Sequence, residues 1–267
     1  MADQWMLNRS NFSGCWQGPG TWFGRDASDR LDLIAPQRII DPTTYVIRFS
    51  NADHGLWEGS GLALAPGGQA TYEISRHSYN AGGGCWQFEG AGGQSSLLLD
   101  SGRGRFGHEI NLFKGRSRSM LVLLWEPRGN AWRLETVGAV AFRCRDAVDF
   151  EPERPTCRTP KALLEPLRGW PGQAELLRPQ PGVMSRASDP RSVVFEPEQL
   201  LRHDCCAVMP DGLVFSVPEC LPDTAFTLEI GARLAVDWFQ QVSIRFGADG
   251  RLLQWERTSF QPAPISS

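Results

Sequence analysis

The feature that most constrains this chain is a rhythm of short β-branched and aromatic stretches cut by glycine, asparagine and aspartate. TYVIRFS from Thr44, GLWEGSGLAL from Gly55, QATYEIS from Gln69, CWQFEG from Cys85, SSLLLDS from Ser95, HEINLF from His108, SMLVLLWE from Ser119 and RLETVGAVAF from Arg133 predict eight or nine strands. The pieces between them (APGGQ, AGGGC, GAGGQ, DSGRGRFG, EPRGN) supply residues that tolerate positive φ or break a ladder. Parallel neighbours need crossovers of about a dozen residues or more, usually helical, and no amphipathic stretch of that length occurs before residue 145. The first half therefore reads as an antiparallel meander, not a doubly wound sheet.

Between Cys144 and Pro160 the chain turns polar, charged and proline-rich, CRDAVDFEPERPTCRTP, which marks a boundary. The expected organisation is a calycin-like barrel over 1–145, a linker over 146–160 and a smaller barrel or half-barrel over 161–267. Pro160 suits the first position of a short helix over Lys161 to Leu167. Strand signals then resume, with hairpin breaks at Asp211-Gly212 and at Gly247 to Gly250. Phe226, Leu228 and Ile230 alternate with polar residues, as do Val242, Ile244 and Phe246, so each strand should have one buried face. Closing such a sheet removes its exposed edges. The predicted fold is all-β: two antiparallel calycin-like barrels in tandem, with at most short helices.

Composition narrows the function. Hydrophobic residues make up 41% and charged residues 21% of 267, the balance of a globular protein with a real core. A net charge of −3, with both signs mixed along the chain, gives no field that would gather nucleic acid. Seven irregularly spaced cysteines argue against a disulfide framework and for a reducing compartment. The first residues carry no leader pattern, and no apolar stretch approaches the roughly 20 residues that span a bilayer.

Gly14-Cys15-Trp16 falls where the first barrel strand should begin, and it resembles the lipocalin opening motif. In that superfamily the glycine turns the chain into the barrel floor and the tryptophan closes it, often beneath a basic residue of the last strand. Arg143 is the matching candidate for a cation–π contact with Trp16. Glu109 to Leu124, EINLFKGRSRSMLVLL, and Leu213 to Phe246, with LVFSVPECLPDTAFTLEIGARL and FQQVSIRF, are similar to a cyanobacterial and plastid family of two-domain calycin-like proteins. The plant member of that family is an assembly factor for the chloroplast ATP synthase. The resemblance implies a barrel pair, a photosynthetic cell, a cytosolic location, a protein partner and a non-enzymatic assembly role. A more distant likeness in fold to the S-type lyases that attach bilins to phycobiliproteins implies a tetrapyrrole or other hydrophobic ligand.

The residues offer two candidate sites. Lys114, Arg116 and Arg118 form a basic cluster that either grips an acidic partner or simply solvates a hairpin. Trp57, Tyr72, Trp86, Phe88 and Trp125 are strand residues of the first lobe that either line a ligand cavity or fill the barrel; alternation does not distinguish the two. Catalytic signals are weak. His203-Asp204-Cys205-Cys206 has metal-ligand types, but adjacent strand cysteines point to opposite faces and no second pair completes a tetrahedron. There is no Gly-x-Ser-x-Gly elbow, and nothing pairs a cysteine with His54, His77, His108 or His203. AGGGCWQFEGAGG lacks the lysine and helix of a phosphate loop. A cyclase or isomerase would need an ionisable residue buried in the first lobe. No catalytic residue, metal or resident cofactor is assigned.

Overall fold

The computed structural model describes residues 2–100, 102–129, 131–147, 154–155 and 157–264. Most of the centre of the expected linker, 148–153 and 156, lies outside the described residues. The protein is mostly β, with two antiparallel sheets and two short helices.

The chain opens with a helix that the strand rhythm did not announce, α1 (Gln4–Phe12). Asp3 caps it by accepting from the Met6 amide. The chain leaves it through Gly14, whose φ of +126° is open to glycine but not to a residue with a Cβ. Then follow β1 (Gly14–Arg25), β2 (Leu31–Asp32), β3 (Arg38–Phe49), β4 (His54–Ser60), β5 (Gln69–Ser75), β6 (Cys85–Phe88), β7 (Ala91–Ser95), β8 (Phe106–Lys114), β9 (Ser117–Arg128) and β10 (Ala131–Cys144). They make one sheet in the order β5-β4-β3-β1-β10-β9-β8-β7-β6, with β2 paired to β1. The second sheet holds β11 (Pro171–Leu177), β12 (Arg191–Val194), β13 (Cys205–Val208), β14 (Leu213–Val217), β15 (Phe226–Ala235), β16 (Trp238–Phe246) and β17 (Leu252–Phe260), in the order β12-β11-β17-β16-β15-β14-β13.

The two antiparallel barrels expected in tandem, the second a barrel or half-barrel, are not closed barrels. Neither sheet joins its end strands: β5 does not pair with β6, nor β12 with β13. The first sheet curls into a half-barrel and the second stays open. What stands at the free edge of β6 is α1. The Gln4 side chain donates to the Gln87 carbonyl (3.1 Å) and accepts from the Gln87 amide (2.7 Å). Asn11 donates to the Phe88 carbonyl at 2.8 Å. Side-chain amides thus satisfy backbone groups that a closing strand would have taken. From β6 the helix reaches across to the β3–β4 loop, where the Trp5 indole donates to Ala52 O at 2.7 Å, so it plugs one end of the half-barrel.

The largest core lies between the sheets. Ile110 and Leu112 of β8, Leu121, Leu123 and Trp125 of β9, and Val137 and Ala139 of β10 meet Phe215, Ile230, Val242, Ile244, Phe246 and Trp255 of the second sheet. Backbone bonds stitch the same boundary, Leu134 N to Glu219 O (2.8 Å), Leu221 N to Trp132 O (2.9 Å) and Leu252 N to Leu97 O (2.8 Å). The β13–β14 turn, where Asp211 and Gly212 both take positive φ, adds an ionic knot. The buried Asp211 carboxylate receives Arg143 (2.6 Å), Ser119 Oγ (2.6 Å) and Arg154 (3.2 Å). On its far face the second sheet is covered by α2 (Pro160–Leu164), begun at Pro160 and capped by Thr159, with Leu163 and Leu164 against Phe195, Phe239 and Phe260.

Candidate ligand-binding cavity

Strand alternation splits β9 into two lists. Ser119, Leu121, Leu123 and Trp125 face the second sheet, while Arg118, Met120, Val122 and Leu124 face into the half-barrel. Its neighbours follow: Phe142 stands opposite Arg118 on β10, and Glu109 opposite Val122 on β8. The inner faces of β1, β3, β4, β5, β7, β8 and β9 and the β4–β5 connection border a cavity of about 710 Å³ that is open on one side, walled by Phe12, Trp22, Tyr45, Trp57, Tyr72 and Met120 among others, with Thr43, Gln69, Gln94 and Glu109 as its polar lining. A recess of about 150 Å³ shares Phe12, Trp57, Gln94 and Glu109 with it and runs beneath α1.

Two glycines set the aromatic walls. A Cβ at Gly138 would come within 2.5 Å of the Trp22 ring, and one at Gly59 within 2.3 Å of the Trp57 ring, so each indole lies flat over a strand where a side chain is missing. Tyr45 meets Trp57 edge-on at 4.9 Å, and Tyr72 tilts against Trp57 at 5.3 Å. Burial pushes the Tyr45 hydroxyl up, further raised by the nearby Glu109 carboxylate.

Beneath this cavity lies Arg118, with no exposed surface. Its guanidinium sits 4.1 Å from the Phe142 ring centroid, 5.0 Å from Tyr45, 5.2 Å from Trp16, 5.3 Å from Phe12 and 5.9 Å from Phe113. None of its three nitrogens has a hydrogen-bond partner, and the same is true of Trp22 Nε1 and Asn111 Oδ1. Loss of water on burial is the main reason its proton affinity drops to about 10. Asn111 Nδ2 donates to Glu109 at 3.0 Å, which leaves its oxygen as the orphan.

The sequence candidates are redistributed accordingly. Trp57 and Tyr72 line the cavity. Trp86, Phe88 and Trp125 do not; they belong to the inter-sheet core, where Trp86 stacks on Trp255 at 6.1 Å and the Trp125 indole donates to Pro218 O at 3.1 Å. Their strand parity turns them to the other face. The basic cluster is no exposed patch: Arg118 is buried, Lys114 lies 4.5 Å over the Trp238 ring, and Arg116 lies 4.6 Å over Trp16 while donating to the Ser13 carbonyl and to Cys144 Sγ. Arg143 is not the residue over Trp16. It pairs across from Gln17 while Trp16 pairs with Cys144, so the two side chains leave opposite faces, and Arg143 goes to Asp211. Arg116 and Arg118 take the position expected of it.

The remaining motif residues diverge. His203 Nε2 meets the Thr227 carbonyl at 3.0 Å, Cys205 is buried in the inter-sheet core, and Cys206 Sγ donates to Leu200 O at 3.1 Å. No group of three His, Cys, Asp or Glu among the described residues could hold a metal ion. His108, at the head of β8, is buried among Phe106, Trp125 and Phe246, and desolvation holds its imidazole neutral down to about 3. The seven cysteines are free thiols, and no helix among the described residues is long and apolar enough to cross a membrane.

No family model matches the chain, and no curated protein matches it. Its fold is similar to that of a protein with unknown function from the DUF3598 family of Nostoc punctiforme, with a TM-score of 0.70 and 16% identity over 98% of this chain and 100% of that one. A tesB protein of Mycobacterium avium gives a TM-score of 0.14 at 13% identity, covering 82% of this chain and 96% of that one. A hot-dog-fold protein of Alicyclobacillus acidocaldarius gives 0.12 at 9%, covering 82% and 97%. Neither score carries an argument; the Nostoc protein shows a shared fold.

Proposed function

We propose that this protein is a carrier, built on a calycin-type half-barrel, that holds one apolar small molecule inside its N-terminal sheet. The observation that carries the reading is a coincidence in space. An aromatic-walled cavity of about 710 Å³, within the usual size of small-molecule sites, has one buried polar atom without a partner on its wall, Trp22 Nε1, and two more groups just behind the wall residues Glu109 and Met120, Asn111 Oδ1 and the Arg118 guanidinium. Buried polar atoms are nearly always satisfied, and orphans that gather at one cavity point to a ligand that completes them. Titration with the neutral fluorophore pyrenebutanol tests this. One-to-one saturation with quenching of tryptophan emission, weakened about tenfold or more by Trp57→Ala, is expected. A linear, non-saturating response would overturn it.

A second reading keeps the assembly role in a photosynthetic, cyanobacterial cytosol that the family resemblance implies. It is supported by the exposed apolar side chains Ile34, Ile39 and Leu64, and the Nostoc protein of similar fold comes from a cyanobacterium. Failure of the protein to retain any photosynthetic or ATP synthase subunit from a native lysate would count against it.

A further inference from the structure

We infer that the cavity takes a monocarboxylic acid with a flat apolar body, its acid group meeting the Arg118 guanidinium; this rests on the carrier reading and deepens it. The starting point is an imbalance. A guanidinium carries five N–H donors, and burying it without acceptors is costly. Around Arg118 the protein supplies five ring faces; the Glu109 carboxylate acts on it from a distance, and no carboxylate among the described residues comes within ion-pair distance of it. Cation–π contacts compensate part of the lost hydration but leave every N–H unpaired. A carboxylate is the group whose two oxygens fit that fork.

The cavity leads to this charge. Met120, the next inward residue on β9, lines it, and so do Phe12 and Tyr45, whose rings also lie 5.3 and 5.0 Å from the guanidinium. Of the rings over Arg118, Phe12 and Tyr45 are half-buried, and Phe12 is the one carried by the last residue of α1 and not by a strand, so an acid group descending the cavity reaches Arg118 by displacing it. The body of the ligand follows from the walls, since Trp22, Tyr45, Trp57 and Tyr72 present ring faces and edges suited to a flat apolar molecule. The restriction to one acid follows from Glu109. Its carboxylate stands on the cavity wall above Arg118, and a second acid group on the ligand would lie against it without a cation to share.

Pyrenebutyrate and pyrenebutanol differ only in the terminal group, and their dissociation constants at neutral pH test the assignment without any variant. The acid should bind at least about tenfold tighter than the alcohol, the difference one charge-assisted pair makes. Arg118→Met should bring the two to parity by weakening the acid alone, and Arg118→Lys should keep part of the preference. Equal binding of acid and alcohol by the unaltered protein, or a preference that survives Arg118→Met, overturns this inference and leaves the carrier reading standing. Binding of neither overturns both.

Discussion

Strands β8, β9 and β10 turn one face to the second sheet and the other to the cavity, and the two faces are filled differently. The outward face is aliphatic and aromatic at its centre, where His108 is kept neutral, and its charged residue at the end of β10, Arg143, is paired with Asp211. The inward face carries Arg118, Glu109 and Asn111, keeps a charge under aromatic rings and leaves space unfilled. Both are buried, so burial alone does not separate a core from a site. What separates them is volume and charge: the outward face is filled and, although the two His108 ring nitrogens have no hydrogen-bond partner, carries no charge at its centre, whereas the inward face leaves space and keeps an unpaired guanidinium.

The contrast can be broken from the outward side first. Phe246→Ala removes a ring stacked on Phe226 at 4.8 Å in the inter-sheet core, and should cost about 3–5 kcal/mol in urea unfolding. If the loss were confined to one lobe and the transition split in two, the shared core would be the wrong description. Asp211→Ala strips Arg143, Ser119 and the buried Arg154 of a common anionic partner and should cost about 3 kcal/mol, with Asp211→Asn recovering part of it.

His108 sharpens the contrast through pH. An unfolded histidine titrates near 6.5, whereas this one stays neutral in the fold down to about 3, so unfolding takes up a proton between those values. Its contribution is full above about pH 6.5 and declines as pH falls, by about 2 kcal/mol at about pH 5. His108→Leu should flatten that slope; an unchanged slope would mean the imidazole is already hydrated. The smallest effects belong to the inward side. Tyr72→Ala, at a half-exposed wall, should change stability by less than about 1 kcal/mol yet weaken pyrenebutanol binding measurably. A large stability loss there would make the cavity wall a core.

Most of the strands were legible because alternation and turn chemistry are local. Asp211-Gly212 and the Gly247 to Gly250 turn each join the strands that flank them. The helix α1 was not, since QWMLNRSNF buries only Gln4, Trp5 and Asn11 and lacks an apolar stripe. Closure was misjudged for the same reason, because amide side chains do the work of a strand. Alternation also gives two faces without saying which encloses the cavity, so Trp57 and Trp125 were indistinguishable in sequence and lie on opposite sides. Arg118 had a readable signal that its charge concealed. The segment from Met120 to Trp125 is apolar at both parities, and a strand buried on both faces also buries Arg118 just before it.

The amide contacts between α1 and β6 bear on how copies of this protein behave together. While the helix is docked, the end of the curled sheet presents side chains to solvent; once it lifts, four residues of bare ladder stand open beside the interior. Crowded solutions would then select for strand exchange between molecules, with colloidal stability governed by how firmly nine helical residues hold their place.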